Sequence, residues 1–372
     1  MKNEFNPEKR PFLFQAFPGL AGKVNWTPLG TLPTPVQRME GLEKELQCEG
    51  LFVKRDDISG EEYGGNKLRK LEFAIGDARA KNRRHLITMG ALGSNHVLAT
   101  TLLCCSQNMG TTGIFVPQPV HEYLRANILC NCMKGCEIKY VESNPAALWA
   151  ILTTYLGKLF KNQKPYFLPP GGSNRPGVLG YVEAAFEIAA QVRKGELPEP
   201  EYIFVPVGSG GTLAGLALGL RLCGLMSTAV GVRVFDKTMA NEKTVAFLAN
   251  RALGYLRKRD PQVRAAKLAA DEIYMIHDYF GKGYAHYTPE GVRAMEKTKE
   301  LEGIVLEGTY TGKAMAAFMD FMSMTARKNK TALFINTYNS RPLDHILEQC
   351  PGPDVLPPKV REYFNCEPEQ PE

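Results

Sequence analysis

A lysine that follows a glycine pair is the residue of this sequence with the clearest potential for chemistry. Lys67 stands directly after Gly64-Gly65-Asn66, where the backbone can bend sharply and approach a ligand closely. A lysine whose amine is held in place and can lose its proton forms a Schiff base with a carbonyl compound. Most lysines are solvated surface cations, and Lys67 taken alone fits that description. The choice depends on whether the chain also contains a phosphate-binding loop.

A glycine-rich turn in the second half of the chain has the composition of such a loop. It lies between a strand pattern at 202–207 and a helix pattern that begins at Leu213. Backbone N–H groups and the positive end of the helix can converge there on an anion. The turn lacks the lysine of a P-loop and the third glycine of a strict dinucleotide-binding motif, so a tight turn without a ligand is the alternative. Its residues are Gly208, Ser209, Gly210, Gly211 and Thr212.

A third motif, Ser94-Asn95-His96, follows a strand pattern at 86–89. Open α/β sheets bind ligands at the carboxyl ends of their strands, where this loop is predicted to lie. Ser94 could simply cap the following helix, while Asn95 could hydrogen-bond a cofactor hydroxyl. His96 could be an ordinary polar residue of the first helical turn. The position of the loop nevertheless favours a ligand site.

Short apolar runs alternate with helical patterns along most of the chain. Strands of continuous apolar residues that alternate with helices are typical of parallel sheets covered on both faces. The sequence therefore predicts an α/β protein with two open, twisted, mostly parallel sheets and flanking helices. The predicted strands are 86–89, 112–116, 137–141, 202–207, 229–235 and 332–335, and the predicted helices are 97–109, 122–133, 146–159 and 213–223.

The chain is long enough for two lobes. Its 372 residues exceed the usual size of one compact core, and a Pro/Gly-rich stretch at 169–177 marks a loop between two sets of strand–helix units. We predict a small domain at 71–180 and a large domain formed by 1–70 together with 181–372. The Pro- and charge-rich residues 351–372 are predicted to form a loosely held tail.

Composition and charge exclude several other classes of protein. A content of 44% hydrophobic and 23% charged residues is that of a soluble globular protein. The formal charge of +6 is spread along the chain, without the clustered basic face that nucleic-acid binding requires. Residues 1–11 lack the apolar core of a signal peptide, and no apolar run is long enough to span a membrane. We therefore expect a cytoplasmic protein that binds neither nucleic acid nor membranes.

The nine cysteines fit a reducing compartment. Their number is odd and no secretion signal accompanies them, so free thiols are expected in place of disulfides. Cys130, Cys132 and Cys136 lie close together in the sequence, yet they lack a Cys-x-x-Cys pair and a nearby histidine. We therefore predict no metal site.

Together and in this order, the motifs resemble the family of 1-aminocyclopropane-1-carboxylate (ACC) deaminases and D-cysteine desulfhydrases. These are pyridoxal 5′-phosphate enzymes of fold type II, the tryptophan synthase β-like fold, with the cofactor between two domains. The resemblance runs from Thr34-Pro35 to about Thr337. The matching stretches are Val53-Lys54-Arg55-Asp56-Asp57, Gly64-Gly65-Asn66-Lys67-Leu68-Arg69-Lys70-Leu71-Glu72, Ser94-Asn95-His96, Gly171-Gly172-Ser173-Asn174, Leu179-Gly180-Tyr181, Gly208-Ser209-Gly210-Gly211-Thr212 and Tyr310-Thr311-Gly312-Lys313-Ala314.

The resemblance implies how the cofactor is held. Lys67 would form the Schiff base with pyridoxal phosphate, the 208–212 loop would hold the 5′-phosphate, and Asn95 would contact the 3′-oxygen of the pyridine ring. Thr311 and Thr337 occupy two positions that divide the family, and the resemblance places both at the cofactor.

The resemblance also implies how the substrate is held. Ser94 would bind the carboxylate of a small amino acid, and Tyr284 and Tyr310 would face the substrate and take part in proton transfer. A phenol has an unperturbed pKa of about 10, so either tyrosine would need help from the site to act as a base. Packing in the core or at the rim is the alternative for both tyrosines. The family resemblance further suggests a homodimer.

The two dividing positions favour elimination over ring opening. Deaminases have a glutamate where this chain has Thr311 and a leucine where it has Thr337, whereas desulfhydrases have threonine-like residues at both. A carboxylate beside the pyridine would strengthen the electron sink, and the opening of a cyclopropane is the harder task. The predicted reaction is therefore α,β-elimination, with Lys67 or a neighbour removing the α-proton. For D-cysteine the products would be pyruvate, ammonia and hydrogen sulfide.

Departures from the family pattern leave other functions open. Gly93 replaces a glutamine before Ser-Asn-His, Asn336-Thr337-Tyr338-Asn339 replaces His-Thr-Gly-Gly, and Ala285-His286-Tyr287 replaces Gly-Val-Pro after Tyr284. A longer insertion is common where this chain has Val120-His121-Glu122. These changes reshape the substrate end of the site and leave the cofactor end intact. The alternatives are ACC deamination, elimination from another β-substituted alanine such as cysteate, and a pyridoxal-phosphate-binding regulatory protein without turnover.

Overall fold

Two β-sheets and the helices around them organise the protein. The structure, a computed structural model, describes residues 10–368. Within this range the chain forms the strands β1 (Val36–Arg38), β2 (Leu51–Lys54), β3 (His85–Ala91), β4 (Gly110–Val116), β5 (Glu137–Tyr140), β6 (Pro165–Phe167), β7 (Tyr202–Val207), β8 (Thr228–Arg233), β9 (Tyr274–Ile276) and β10 (Ala332–Ile335). The α-helices of the same range are α1 (Phe12–Ala16), α2 (Glu40–Leu46), α3 (Asn66–Ala80), α4 (Asn95–Ser106), α5 (Glu122–Met133), α6 (Asn144–Phe160), α7 (Arg175–Arg193), α8 (Gly211–Cys223), α9 (Glu242–Arg257), α10 (Pro289–Glu302), α11 (Thr311–Ser323), α12 (Asp344–Leu347) and α13 (Pro358–Arg361).

The larger sheet has six strands in the order β1-β2-β10-β7-β8-β9. The first strand is antiparallel to β2, and the other neighbours are parallel. Every residue of the central strand β10 is fully buried, because helices cover both faces of the sheet. Leu333 and Ile335 point to the cluster that contains α7, α8 and α9, whereas Ala332 and Phe334 point to the cluster that contains α11. This alternation is the two-residue period of a strand.

The smaller sheet has four parallel strands in the order β5-β4-β3-β6. On one face Leu86 belongs to a cluster with apolar residues of α3 and α4. On the other face Ile87 and Ile114 pack against Ala147 of α6. Two mostly parallel sheets with flanking helices confirm the predicted fold class.

The predicted elements are all present. The strands at 202–207 and 332–335 and the helix at 122–133 have the predicted bounds, and the others differ by a few residues at their ends. Strands β1, β2, β6 and β9 were not predicted. Each has only three or four residues, which is too short for an alternating pattern to be recognised.

The C-terminal segment corrects one prediction. The expectation of a loosely held tail at 351–372 is wrong for its described part, which ends at residue 368. Leu356 and Val360, four residues apart, are buried in a cluster with residues of the smaller sheet and α5. The hydroxyl oxygen of Tyr363 lies 2.9 Å from that of Tyr140. Burial of these two apolar side chains thus outweighs the prolines and charges around them.

Helices α3 and α7 join the two sheets. They run across the predicted domain boundaries near residues 70 and 180 and pack closely, since a Cβ on Gly180 would lie only 2.3 Å from the carbonyl oxygen of Arg69. All strands of the smaller sheet lie between 85 and 167, inside the predicted small domain, whereas the C-terminal segment contacts that sheet from outside the predicted bounds. The division into domains stays a prediction.

None of the helices within 10–368 is both long and apolar enough to cross a membrane. In the same range, no group of three or more His, Cys, Asp or Glu side chains is arranged to hold a metal ion. The cysteines are all free thiols.

A buried network of charges holds α3 in place. Arg69 donates to both carboxylate oxygens of Asp56 at 2.8 and 2.9 Å and to both of Glu187 at 2.8 and 2.9 Å. Lys54 Nζ lies 2.6 Å from Glu187 Oε1, and the hydroxyl of Tyr181 donates to Asp56 at 2.6 Å. All of these side chains are almost completely buried. Because buried charges are costly unless each is paired and hydrogen-bonded, the network fixes α3 against β2 and α7.

Replacing Glu187 by glutamine is expected to destabilise the protein strongly. The amide keeps the shape of the side chain and removes the negative charge that Lys54 and Arg69 share. Breaking one side of a buried ion pair lowers the free energy of unfolding by roughly 3–5 kcal/mol. Urea unfolding followed by circular dichroism measures this loss. The matched control is Glu290→Gln. The carboxylate of Glu290 meets Arg293 at the surface, so this substitution should leave the urea midpoint of unfolding unchanged. An unchanged midpoint for Glu187→Gln would show that the network does not fix α3.

Candidate active site

A cavity of about 820 Å³ lies between the two sheets. The loops after β3, β7 and β10 and the beginning of α3 form its wall. Its volume suits a cofactor together with a small substrate. Among the residues predicted for the site, Gly211 and Thr311 are not part of the wall. The predicted residues that line it are Lys67, Ser94, Asn95, Gly208, Ser209, Gly210, Thr212, Tyr284, Tyr310 and Thr337.

The glycine pair before α3 brings Lys67 into the cavity wall. Gly65 has a φ of +87°, which favours glycine, and a Cβ there would lie 2.8 Å from the carbonyl oxygen of Thr337. A Cβ on Gly64 would lie only 1.9 Å from the carbonyl oxygen of Asp57. The backbone can pass between these loops because both positions lack a side chain, and α3 then starts with Lys67 at its second position.

The surroundings of Lys67 favour the unprotonated amine. Its Nζ donates to Asn66 Oδ1 at 2.7 Å and lies 5.8 Å from the ring centre of Tyr310. Burial lowers the pKa of Lys67 to about 8, and the negative charge of Glu307 opposes this shift. A fraction of the amine is therefore neutral near neutral pH, as both Schiff-base formation and proton abstraction require.

A second lysine, Lys70, lies beside the glycine-rich loop and was not singled out from the sequence. It is one helical turn after Lys67, so the two share one side of α3. Lys70 Nζ donates to Gly171 O at 2.9 Å and approaches Ser173 Oγ to 3.5 Å, both neutral oxygens. It would also lie 3.0 Å from a Cβ on Gly211. Since a buried cation with neutral partners is costly, the position suits an incoming anion.

The 208–212 loop supplies the other parts of an anion site. Its last residues begin α8, whose first N–H groups have no partner within the helix and face the loop. Ser209 Oγ lies 2.8 Å from Ser173 Oγ. Thr212 Oγ1 accepts a hydrogen bond from Asn66 Nδ2 at 3.0 Å, which ties the loop to the residue before Lys67. Hydroxyls, helix N–H groups and a buried lysine together fit a phosphate group.

Ser94 and Asn95 line the cavity where α4 begins. Ser94 Oγ accepts the N–H of Val97 at 3.4 Å, so the serine caps the helix. Asn95 Oδ1 accepts a hydrogen bond from Asn127 Nδ2 at 2.9 Å. Ser94 thus both caps α4 and lines the cavity. The predicted contacts of both residues with substrate and cofactor stay predictions.

Tyr284 and Tyr310 meet in the cavity wall near Lys67. Their hydroxyl oxygens lie 2.9 Å apart, and their ring centres lie 5.9 Å apart. Burial raises the pKa of both phenols above the ordinary value, so both remain protonated at neutral pH. Two linked neutral phenols are better suited to give a proton than to take one.

Glu307 puts a carboxylate into the cavity wall at a position that was not singled out from the sequence. Its oxygens accept the backbone N–H groups of Thr309, Tyr310 and Thr311 at 2.8–3.0 Å. Burial raises the pKa of Glu307, whereas these N–H groups and the charge of Lys67 act in the opposite direction. The sequence signal that could have identified Glu307 is its place just before a helix pattern, where an acidic residue is favourable.

The two threonines that divide the family lie in different surroundings. Thr337 lines the cavity, and its carbonyl oxygen accepts the N–H of Asn66 at 3.2 Å. Thr311 is fully buried at the start of α11, where its hydroxyl oxygen accepts the N–H of Glu307 at 2.9 Å. The hydroxyl of Thr311 is therefore engaged with its own loop, and its contact with a cofactor stays a prediction.

An amide from another loop lies against Gly93. Gln118 Oε1 accepts the N–H of Gly93 at 3.1 Å, and a Cβ on Gly93 would lie 2.9 Å from Gln118 Nε2. The same Nε2 donates to Tyr123 Oη at 3.3 Å, and this oxygen lies 3.1 Å from Thr309 Oγ1. Gln118 thus fills the space beside Gly93 and links the loop before α4 to the loop before α11.

A histidine stack adds a second link at the same place. The ring of His121 lies between those of Tyr123 and Tyr287, nearly parallel to both, with ring centres 5.6 and 4.5 Å away. His121 Nε2 lies 2.6 Å from the carbonyl oxygen of Ala285, whose φ is +65°. Departures from the family pattern therefore meet at one place, which we call the seam. The seam consists of Gly93, Gln118, His121, Tyr123, Ala285, Tyr287 and Thr309.

Comparison with known proteins identifies the family of this chain. The profile of the family described as pyridoxal-phosphate dependent enzyme matches residues 28–337. A D-cysteine desulfhydrase of Klebsiella pneumoniae is 34% identical over 312 residues, which cover 82% of this chain and 91% of that protein. A protein of Pyrococcus abyssi with the provisional name 1-aminocyclopropane-1-carboxylate deaminase is 32% identical over 306 residues, which cover 82% and 88%.

Solved structures show the same fold. The crystal structure of an ACC deaminase homologue has a TM-score of 0.76 and 30% identity, and the match covers 91% of this chain and 99% of that one. The processed form of threonine deaminase isoform 2 from Solanum lycopersicum has a TM-score of 0.57 at 17% identity, over 92% of this chain and 88% of that one. The second likeness concerns the fold alone. Both confirm the predicted fold type II.

Attachment of pyridoxal phosphate to Lys67 is expected to become faster as the pH rises through about 8. An aldehyde reacts with the unprotonated amine, and the pKa of Lys67 is about 8. The rise of visible absorbance after mixing apoprotein with the cofactor over a pH series measures this profile. Glu307→Gln removes a negative charge that raises this pKa, so its profile should move to lower pH. An unchanged pH profile in Glu307→Gln would show that Glu307 does not influence the pKa of Lys67. The control variant Lys67→Ala should develop no visible absorbance band.

The seam predicts a coupled pair of substitutions. Gly93→Gln restores the family residue but pushes its side chain into Gln118, so overpacking should lower the free energy of unfolding by roughly 1–3 kcal/mol. Gln118→Ala alone removes one hydrogen-bonded amide and should also destabilise. The double variant should be more stable than the sum of the two effects, because the new amide takes the vacated space. Urea unfolding of the four proteins measures the coupling, and strict additivity would show that the two positions do not share one space.

Proposed function

Because the chain belongs to the family of pyridoxal-phosphate-dependent enzymes, we propose that it is a lyase that acts by α,β-elimination on a small β-substituted amino acid. D-Cysteine is the first candidate substrate. The family establishes the cofactor and the enzyme class, whereas the substrate and the reaction are the proposed part. One observation carries the proposal: Lys67, the Tyr284–Tyr310 pair and an anion-binding loop meet in a single cavity.

The residues of the cavity wall fit pyridoxal phosphate at both of its ends. The 208–212 loop and buried Lys70 suit the phosphate, and Lys67 suits the aldehyde. Asn95, in the same wall, suits an oxygen on the ring. When bound, the cofactor withdraws electrons from the bonds at the α-carbon of the substrate.

Lys67 is the group that we assign to the α-proton. Its pKa of about 8 leaves part of the amine neutral at physiological pH, and a base works best when its pKa lies near the working pH. The position of Lys67 at the start of a helix fixed by the buried network limits the directions in which the amine can move. A fixed amine exchanges a proton with one face of the substrate, which would set the configuration that is accepted.

Tyr284 and Tyr310 are the groups that we assign to the leaving group. A thiolate that leaves the β-carbon becomes a better leaving group when a neighbouring acid gives it a proton. Both phenols are held in the protonated form by burial, which raises their pKa. Their mutual hydrogen bond at 2.9 Å allows one phenol to resupply the other.

The beginning of α4 is the region that we assign to the substrate carboxylate. Ser94 caps the helix and lines the cavity, so a carboxylate there would meet a hydroxyl and the positive end of a helix dipole. Such a contact orients the α-carbon towards Lys67 without taking part in bond breaking.

The choice between elimination and ring opening depends on which residue faces the pyridine nitrogen. Thr337 lines the cavity with a neutral side chain, whereas the Thr311 hydroxyl accepts the N–H of Glu307 behind the wall. ACC deamination is the second candidate, because Glu307 does place a carboxylate in the wall. Three backbone N–H groups already occupy the oxygens of Glu307, and this supports elimination as the first candidate.

The resemblance suggests two further properties as part of the proposal. The protein would be a homodimer, and it would work in the cytoplasm, where its nine free cysteines would remain reduced.

Purified holoenzyme is expected to convert D-cysteine and one water into pyruvate, ammonia and hydrogen sulfide in equal amounts. The screen also includes L-cysteine, chloroalanine, cysteate and ACC, with the keto acid and ammonia as readouts. Release of 2-oxobutyrate from ACC, without sulfide from cysteine, would replace the first candidate by the second. Absence of turnover with every β-substituted alanine in a protein that holds its cofactor would favour a regulatory role without catalysis.

Tyr310→Phe is expected to reduce kcat by roughly 10²–10⁴-fold, the usual contribution of a positioned acid. The phenyl ring keeps the packing against Tyr284, so cofactor content and thermal stability should be unchanged. The matched control is Tyr279→Phe, since Tyr279 bonds to Asp320 at the surface and should retain full activity. A fully active Tyr310→Phe enzyme would remove the phenol from the mechanism.

A further inference from the structure

One part of the cavity wall consists of large apolar side chains to which the proposed reaction assigns no role. They come from β3, α6 and β6 on the side of the smaller sheet and from the loop after β8 on the side of the larger sheet. Pockets commonly hold the apolar part of a ligand with such side chains. We call this part of the wall the apolar arm, and it consists of Met89, Leu148, Ile151, Phe167, Phe235 and Met239.

The pairing of the strands places the sheet residues of the apolar arm on one face. Ile87 lies beside Phe167 in the register of β3 and β6, and Met89, two residues after Ile87, points to the same side. This face packs against α6, since Met89 and Ile151 belong to the cluster around Ala147. The sheet and α6 therefore form one continuous apolar surface in the cavity wall.

The apolar arm reaches the tyrosines that we assign to the leaving group. The ring centre of Phe235 lies 5.0 Å from that of Tyr284, whose hydroxyl oxygen lies 2.9 Å from that of Tyr310. Lys67 Nζ in turn lies 5.8 Å from the ring centre of Tyr310. The arm therefore begins where a group on the β-carbon would leave.

The outer end of the apolar arm is exposed to solvent. Leu148 exposes 66% of its surface, Met239 exposes 44% and Phe167 exposes 39%. Exposed apolar side chains that lie together are typical of ligand-binding grooves. A substituent between them would bury their surface as well as its own, which is favourable. The sulfhydryl group of cysteine is too small to make these contacts.

We propose that the apolar arm holds the β-substituent of the substrate, and that the preferred substrates are cysteines with a neutral apolar group on sulfur, such as an alkyl or benzyl group. This inference rests on the proposed function, because it names the group that leaves in the same elimination. Cysteine itself is then the smallest member of the substrate class.

The reaction of such a substrate balances without an oxidant or a reductant. Lys67 takes the α-proton, the bond between the β-carbon and sulfur breaks, and its electron pair leaves with the sulfur. The Tyr284–Tyr310 pair gives the thiolate a proton, and the proton held by Lys67 makes up for it. One water releases the nitrogen as ammonia. An S-substituted cysteine and one water thus give a thiol, pyruvate and ammonia.

The charges of the wall disfavour an anionic substituent. Within residues 10–368, the lysines of the wall are Lys67 and Lys70, both on α3. Asp236, next to Phe235 in the chain, adds a negative charge beside the apolar arm. A sulfonate or carboxylate in the arm would lose its water without gaining a cation, which is costly. Neutral thioethers are therefore favoured over cysteate and S-carboxymethylcysteine.

A series of S-alkylcysteines, converted by the holoenzyme, tests the proposal. The S-methyl, S-ethyl, S-propyl and S-butyl compounds are compared in both configurations by release of pyruvate and thiol. Their thiolates have nearly equal basicity, so a trend reports contacts of the alkyl chain. The value of kcat/KM should rise roughly fourfold for each methylene that is buried. S-Carboxymethylcysteine should be roughly tenfold or more below S-propylcysteine, which has a similar size.

The same series separates this inference from the proposed function. If cysteine is converted while kcat/KM stays level or falls from S-methyl to S-butyl, the inference is overturned and the elimination stands. If the holoenzyme converts no β-substituted alanine at all, both are overturned.

Leu148→Asp places a carboxylate in the apolar arm and should lower kcat/KM for S-butylcysteine, relative to cysteine, by roughly tenfold or more. The matched control is Leu152→Asp, because Leu152 lies one turn further along α6, exposes 48% of its surface and is not part of the wall. The control should keep the native ratio. A ratio of two substrates does not depend on the amount of active enzyme. Equal ratios in the two variants would overturn the proposal.

A second pair of variants tests the arm from the larger sheet and serves if Leu148→Asp folds poorly. Met239→Asp should lower the same ratio, because it also puts a charge beside the alkyl chain. Met226→Asp is the control, since Met226 exposes 89% of its surface and is not part of the wall. An unchanged ratio in Met239→Asp would overturn the proposal.

Discussion

The buried pairing of Arg69 with Asp56 and Glu187 is the constraint on which the candidate site depends. Within one stretch of α3, Lys67 reaches the cavity, Arg69 enters the charge network and Lys70 reaches the loop that fits a phosphate. Any rotation of α3 that moved the lysines would also leave a buried guanidinium without its partners, which costs several kcal/mol. A network that does not line the cavity therefore determines where the reactive amine stands.

Burial also determines the charge state of the groups around the cavity. It lowers the pKa of Lys67 and Lys70 and raises that of Glu307 and Tyr310, so every shift favours a neutral form. An anionic ligand would change this balance. A phosphate beside Lys70 stabilises the ammonium form of that lysine, while Lys67 keeps a lowered pKa. The two lysines can then act differently, one as a fixed cation and one as a base, although they are one helical turn apart.

The sequence was sufficient for features that depend on neighbours along the chain. Lys67 lies in the cavity wall after its glycine pair, and the 208–212 loop lies between a strand and a helix, because local backbone geometry requires those residues. Gln118 could not be found in this way. Its partner Gly93 lies 25 positions away, and only the pairing of β3 with β4 brings the two loops together. The prediction for the C-terminal segment failed for the same reason, since a cluster on the smaller sheet holds its described residues around Leu356 and Val360. The fold class was therefore predictable, whereas the long-range contacts were not.

The surroundings of Lys67 and the seam are built from different kinds of interaction. The position of Lys67 depends on glycine backbone and buried charge, as at Gly65 and Arg69, where substitutions have severe steric or electrostatic consequences. The seam depends on amide contacts and stacked rings, as at Gln118 and His121. Such contacts can be exchanged in pairs, because the space that Gly93 leaves free is filled by Gln118 from another loop. The seam can therefore change by paired substitutions, while the surroundings of Lys67 are held by steric and electrostatic constraints.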